Sequence, residues 1–417
     1  MRLRKTITTI VATAILLAGW QLFAVIANQP ELIPSLPRLV RTLCEWLVSG
    51  SFYQSVGATI LRGILGMSIS FVCAIGMAGL FARFEWVYEL FRPLLAIMRS
   101  IPVISFILLA LIFLNPESIP LMIAFLTMFP LLTENLTRGI LDLRPGLSIM
   151  ARQFHIKRSN VLFQIIYPQL KPFLYSGLAS AAGFGWRAII MGEVLSQCAF
   201  GIGSEMKRAQ NFIAVPELLA WTIVAVFISF FFDKGISKVA DITPKISFAN
   251  EDQTIPTPTL SVLDTKDISY QYGIQHFSHS FQKGIIYGIS APSGKGKTTL
   301  LNLIGGILLP TEGEIHPTRH FGIATIFQQP QLLPHLTAEE NIILPLSSFL
   351  TEEKARRIAQ KHLQEMEMEP FKGLDEALSH RIIERIREKQ MKEERIILFT
   401  SHNPDEIRLL ADEVIYL

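Results

Sequence analysis

Ile285-Ile286-Tyr287-Gly288-Ile289-Ser290-Ala291-Pro292-Ser293-Gly294-Lys295-Gly296-Lys297-Thr298-Thr299-Leu300-Leu301 is the stretch whose reading decides the fold of the C-terminal part of the chain. An apolar run enters a glycine-rich turn, and a helix-forming segment to Ile304 follows at once, so the stretch predicts strand, loop and helix in that order. This arrangement suits a phosphate group, because small residues let successive backbone N–H groups point inward and the helix N-terminus adds positive potential. Lys297 is placed to reach the β- and γ-phosphates and the Thr298 hydroxyl to hold Mg²⁺. Ser293, Gly294, Lys295, Gly296 and Thr299 complete the cradle. Ala291 stands where such loops begin with glycine; a positive φ at that residue would cost about 1 kcal/mol and weaken binding.

Working outward, the chain from residue 261 reads strand, turn, strand. Tyr272 closes Ile268-Ser269-Tyr270-Gln271-Tyr272-Gly273, Gln328 lies in Ile326-Phe327-Gln328-Gln329-Pro330, and His402 follows an aliphatic strand from Ile396 to Phe399. With Gly373-Leu374-Asp375 and the phosphate loop, these pieces resemble the α/β nucleotide-binding domain of an ATP-binding cassette (ABC) transporter. The resemblance implies ATP and Mg²⁺ as cofactors, Tyr272 under the adenine, Gln328 on Mg²⁺ and facing a permease, and His402 near the γ-phosphate. Two motifs of that family are missing, an LSGGQ-like signature and an aliphatic strand ending in Asp-Glu. The helix-forming stretch 351–366 instead runs straight into Glu367-Met368-Glu369-Pro370-Phe371-Lys372-Gly373-Leu374-Asp375, so the domain is internally shortened near 367–370. The family's Asp-Glu-Pro-Phe would set its glutamate on Glu369 and its aspartate on Met368. Glu369 is then either the general base that activates water or the residue at a deletion junction. Met368 cannot accept hydrogen bonds from a magnesium-bound water as a carboxylate can, and a missing central strand would leave its sheet neighbours with unpaired backbone groups.

Upstream the composition changes. Half of the chain is apolar against 18% charged, far from the balance of a soluble enzyme, and the apolarity is concentrated before about residue 236. The net charge of +3 is too small to argue for nucleic acid. Cys44, Cys73 and Cys198 form no metal or disulfide pattern. Membrane-spanning stretches are expected at the apolar N-terminal run to residue 27, read as a retained helix rather than a signal peptide, and near 63–82, 94–114, 119–136, 173–195 and 217–233. That is a six-span α-helical membrane domain, within contact of lipid. Basic residues crowd the N-terminus, the loop between spans two and three, and the loop between four and five, so the positive-inside rule places both termini in the cytoplasm. The expected division is a membrane domain over 1–240, a Pro- and Thr-rich linker over 241–259, and the nucleotide-binding domain over 260–417.

The loop between spans four and five carries apolar residues at 147, 150, 151 and 154, the spacing of a short amphipathic helix that can dock on another surface. After a polar turn come Val161-Leu162-Phe163-Gln164-Ile165-Ile166-Tyr167-Pro168. The spacing is similar to the EAA loop of bacterial ABC import permeases: Ala151, Ile165 and Pro168 match, and His155 replaces the glycine. The resemblance, strongest to permeases of the nitrate, sulfonate and taurine type, implies an importer in the bacterial plasma membrane. It also implies an extracytoplasmic substrate-binding protein and a second permease/ATPase subunit, either another copy or a complete ABC partner. Arg187 and Glu193 lie inside the fifth span. The resemblance implies that the acidic residue after Trp186 lines the translocation path; otherwise both charges lie near the helix ends and snorkel. Against the importer stands a non-transporting remnant that binds ATP at most.

Overall fold

The computed structural model describes residues 2–240, 244–253, 262–271, 273–292, 294–316, 332–366, 386–388, 390–391, 394–401 and 404–417. The chain divides into two compact units, Met1–Leu143 with Ile166–Thr243, and Arg144–Ile165 with Pro244–Leu417. Two divisions differ from expectation. The loop between spans four and five belongs to the second unit, and so do residues 244–253 of the expected linker.

The first unit is helical. α1 spans Arg2–Ala27, α2 Leu36–Trp46, α3 Gly50–Arg83, α4 Glu85–Ser100, α5 Val103–Phe113, α6 Ile119–Leu141, α9 Tyr167–Ser196, α10 Ile202–Asn211 and α11 Val215–Ala240. Among the described residues four helical stretches are long and apolar enough to cross a membrane: Gly50–Arg83, Pro116–Leu141, Arg158–Ser196 and Val215–Ile236. The expected third span is not one helix. α4 and α5 meet at an angle of 95°, with Pro102 at the break. Proline lacks the N–H that would continue the ladder, and it pushes Ile101 into an extended conformation (φ −70°, ψ 130°). The apolar part of α1, Val11–Ala27, is shorter than the four.

α6 is the hub of this unit, packed between α3 and α9. Its residues Ala124, Met128, Leu132 and Leu136 form one buried cluster with Ala74, Ala78, Ala181 and Ile189. Lipid tails are as apolar as leucine, so helices here associate through close van der Waals approach rather than through expulsion of water. Gly66 shows how close: a Cβ added to it would lie 2.6 Å from the Cβ of Ala124.

Among its described residues the second unit holds two three-stranded sheets. β1 (Val262–Tyr270) pairs antiparallel with β2 (Ile274–Gln282) and β4 (Glu312–His316). β3 (Ile286–Ser290) lies between β5 (Ile397–Thr400) and β6 (Glu413–Tyr416), both parallel to it. Buried on both faces, β3 reads as an unbroken apolar run, as parallel strands do. One core joins the two sheets and α12 (Lys297–Ile304), including Leu263, Ile268, Phe281, Tyr287, Leu300, Leu303 and Ile415. The remaining helices are α7 (Pro145–Gln153), α8 (Arg158–Asn160), α13 (Ala338–Leu346), α14 (Glu352–Met366) and α15 (Pro404–Leu410). The strand that carries the phosphate loop is thus paired on both sides. Among the described residues β5 and β6 each have a single neighbour.

Candidate nucleotide site and coupling surface

The phosphate loop leaves the end of β3 and enters α12 at Lys297. Gly294 (φ 83°) and Gly296 (φ 91°) take the left-handed conformation that turns the chain around this tight corner. Gly296 has a second constraint, because a Cβ there would meet the carbonyl oxygen of Gly273 at 2.6 Å. The turn between β1 and β2 therefore closes directly on the loop. Ala291 is not among the residues with positive φ, so the penalty conditional on that conformation does not arise. Lys297 is half-buried, and its Nζ donates to the carbonyls of Ala291 at 2.5 Å and Pro292 at 3.2 Å. Lys295 and Thr298 are exposed, and Thr299 is half-buried. Two left-handed glycines, a helix N-terminus of eight residues and a lysine folded over the loop form a cradle whose donors fit a polyphosphate. Tyr272, Ser293, Gln328, Glu369 and His402 lie outside the described residues, as do Met368 and Gly373-Leu374-Asp375.

The coupling loop is built by its own sequence. α7 buries Leu147 and Ala151 and half-buries Met150, while Phe154 stays exposed. The helix stops in a Schellman turn: His155 N–H donates to Arg152 O at 3.1 Å and Ile156 N–H to Ala151 O at 2.9 Å. That turn needs a left-handed residue one step past the cap, and His155 supplies it with φ 50°. This gives a physical reason for the glycine of the family pattern at this position. Beyond α8 the chain runs as a π-helical turn, Val161–Ile166, before α9 begins. Pro168, in the first turn of α9, has no N–H to give the Gln164 carbonyl, which accounts for the widened ladder.

Within the second unit this loop is docked on the phosphate-loop domain. Leu147, Ala151, Ile156 and Ile165 form a buried cluster with Leu333 and Leu344, with Ile246 packed against it. Asn160 is buried and fully used: Nδ2 donates to Ser247 O at 2.7 Å and Ser347 Oγ at 2.8 Å, and Oδ1 accepts from Ser247 N–H at 2.8 Å. Lys157 N–H donates to Ser348 Oγ at 2.8 Å, and Gln164 Nε2 to Pro244 O at 2.8 Å. Asn160, Ser247 and Ser347 were missed in the sequence. An asparagine closing the polar run Lys157-Arg158-Ser159 reads as part of a solvated turn, and only the fold shows that two distant segments converge on it.

In the first unit Glu193 neither snorkels nor lies open. It is fully buried and accepts from Thr59 Oγ1 at 3.0 Å, Gly203 N–H at 2.9 Å and Arg62 Nη1 at 2.7 Å. Arg62 Nη1 also donates to Phe200 O at 2.8 Å, and its Nη2 donates to Glu117 Oε2 at 2.7 Å. Glu117 Oε1 in turn accepts from Ala199 N–H at 2.6 Å. Four segments are tied together by one guanidinium and two carboxylates. Arg187 stands apart from this cluster, exposed on α9.

Comparison with known proteins finds two family models along the chain. The family model for the inner membrane component of binding-protein-dependent transport systems matches residues 54–233, and that for the ABC transporter matches residues 274–396. The chain joins an ABC permease to an ABC ATP-binding domain. The nitrate import permease protein NrtB of Synechocystis is 25% identical over 56% of this chain and 87% of its own length. The bicarbonate transport system permease protein CmpB of Synechococcus elongatus is 26% identical over 40% of this chain and 61% of its own. On the ATP-binding side, the spermidine/putrescine import ATP-binding protein PotA of Nitrosomonas europaea is 29% identical over 27% of this chain. The chain spans about a third of that relative, 35% of its length.

Proposed function

We propose that this ABC permease and ATP-binding chain is a subunit of an ATP-driven importer of small oxyanions, of the nitrate, bicarbonate or sulfonate class. The observation that carries the reading is the docking of the EAA-type loop, Arg144–Ile165, on the phosphate-loop domain of the same chain. That contact is what a machine needs if events at a nucleotide are to move membrane helices. The oxyanion class is supported by NrtB and CmpB, whose names state nitrate and bicarbonate. In this reading Lys297 and Thr298 hold the ATP phosphates and Mg²⁺, Tyr272 stacks on adenine, and Gln328 and His402 complete the site. The chain crosses the bacterial plasma membrane six times with both termini in the cytoplasm. An extracytoplasmic binding protein delivers the solute.

A second reading has a specific observation in its favour. The sequence has Met368 where an Mg²⁺-ordering aspartate belongs and no signature string, so ATP bound to this chain alone turns over poorly. An importer built on it therefore requires a second, complete ABC subunit whose signature closes over Lys297 and Thr298. The deciding experiment is uptake of labelled nitrate into proteoliposomes containing the chain, a co-expressed complete subunit and the binding protein. ATP-dependent accumulation abolished by Lys297→Ala supports the importer. ATP binding without any flux supports the remnant.

A further inference from the structure

We infer that Arg187 lines a water-filled path through the membrane domain and offers its guanidinium to the oxyanion in transit. The inference deepens the importer reading and rests on it for the identity of the ligand. Arg187 lies nine residues before the end of α9 at Ser196, about 13 Å along the axis at 1.5 Å per residue. A hydrocarbon core is about 30 Å thick, so this charge sits near mid-depth, beyond the reach of snorkelling from the end of the span. Two other groups of charges inside the spans are paired. Arg62 and Glu193 bond each other, and Glu134 is bonded to both Arg99 and Arg138. Arg187 is exposed and makes no hydrogen bond or ion pair among the described residues.

Its surroundings on the helix are mixed, with exposed Phe184 and Met191 one turn away on either side and a run of small and polar residues toward the N-terminus. Ser176, Ala179, Ser180 and Gly183 lie on the same face at helical spacing, with Ser176 and Ala179 exposed and Gly183 opening on free space. The outward faces of α3, α5 and α11 carry Leu61, Ile69, Leu108, Ile112, Val226 and Phe227, with no serine stripe of this kind set beside a charge. An intramembrane charge is tolerated where it meets a water-filled cavity or a partner, and here no partner stands beside it. A planar guanidinium with five donors matches the flat, trigonal face of nitrate or bicarbonate through paired N–H···O bonds. Binding of that kind is reversible and involves no proton transfer, as passage requires.

The test uses the full chain in lipid vesicles, with Cys44, Cys73 and Cys198 replaced by alanine and one cysteine introduced by Gly183→Cys, one turn from Arg187. A positively charged, membrane-impermeant methanethiosulfonate is the probe and Phe227→Cys the lipid-facing control. We expect Gly183→Cys to react several-fold faster than Phe227→Cys. Nitrate, against a chloride background, should slow that reaction when Arg187 is present and have no effect after Arg187→Gln. Ala179→Cys, further along the same face, repeats the measurement should Gly183→Cys not insert. Equal, slow labelling of the α9 and α11 cysteines overturns the water path. Labelling indifferent to nitrate with Arg187 in place, or protection that survives Arg187→Gln, overturns the oxyanion contact. None of these readouts requires hydrolysis. Protection by nitrate in vesicles that accumulate none would uphold the Arg187 site while refuting the importer.

Discussion

His155 and Glu193 show at the residue scale how much one side chain costs or secures. His155 holds a left-handed conformation that the Schellman turn imposes, and a residue with a Cβ pays for that. His155→Gly should favour the closed turn by about 1 kcal/mol. That is roughly a fivefold slower proteolytic cleavage of the loop near residue 155, measured on the intact chain in detergent. Glu193 is the opposite case. Glu193→Leu leaves Arg62, whose side chain is only 13% exposed, with a buried charge and one fewer carboxylate. The expected loss is about 3–5 kcal/mol, seen as a lowered melting temperature and poor recovery from the membrane. Glu193→Gln, which still accepts from Thr59 and Gly203, should lose distinctly less. Sequence reading located both residues and misjudged their surroundings. A period-3.6 pattern marks which positions share a face, but it does not reveal that Thr59, 134 residues upstream, turns its hydroxyl onto Glu193.

At the element scale, the coupling loop and the segment over 244–253 act as two straps on one domain. Asn160→Ala removes three buried hydrogen bonds and strands Ser247 and Ser347 groups away from water. An unsatisfied buried group costs about 1–3 kcal/mol, so amide exchange in α7 and α8 should quicken by an order of magnitude while β3 keeps its protection. The second strap responds to pH. Asp252 accepts from the Thr351 N–H and hydroxyl, each at 2.9 Å, and stands beside Lys354, which together hold its carboxyl below the ordinary aspartate value. A depressed pKa contributes stability that is complete above the unfolded value of about 3.9 and fades as pH falls through the folded one. The start of α14 should therefore become more protease-sensitive below about pH 4, and Asp252→Asn should flatten that dependence. These elements also mark the limit of legibility. The β3 strand, the loop and α12 were plain in the sequence because apolar run, glycine turn and helix starter are local signals. The docking of residues 244–253 was not, since Pro-, Thr- and Asp-rich sequence looks the same whether it floats or is gripped. The break at Pro102 was passed over because hydropathy averages across it.

For the whole molecule, the shortened stretch near Glu369 sets what the assembly can do. If Glu369 is the general base in a site closed by a complete partner, Glu369→Gln in this chain should lower ATPase activity of the purified complex by about 10² to 10⁴. Unchanged activity would make it the seam of a deletion. The chain purified alone should bind ATP through Lys297 and hydrolyse little, as nucleotide trapping against phosphate release will show. Topology is tested by Arg158→Cys in a background lacking the native cysteines: reaction with an external impermeant reagent would place the loop on the wrong side.

The division of the chain into units has a mechanical corollary. Because Arg144–Ile165 belongs with Pro244–Leu417, the backbone passes between the two units after Leu143, after Ile165 and after Thr243. Bodies joined by a single flexible tether swivel freely, as beads on a string do. Here the chain offers three covalent connections in place of one. Torque on the second unit then has covalent paths into the membrane helices at both ends of the coupling loop as well as through the chain before Pro244.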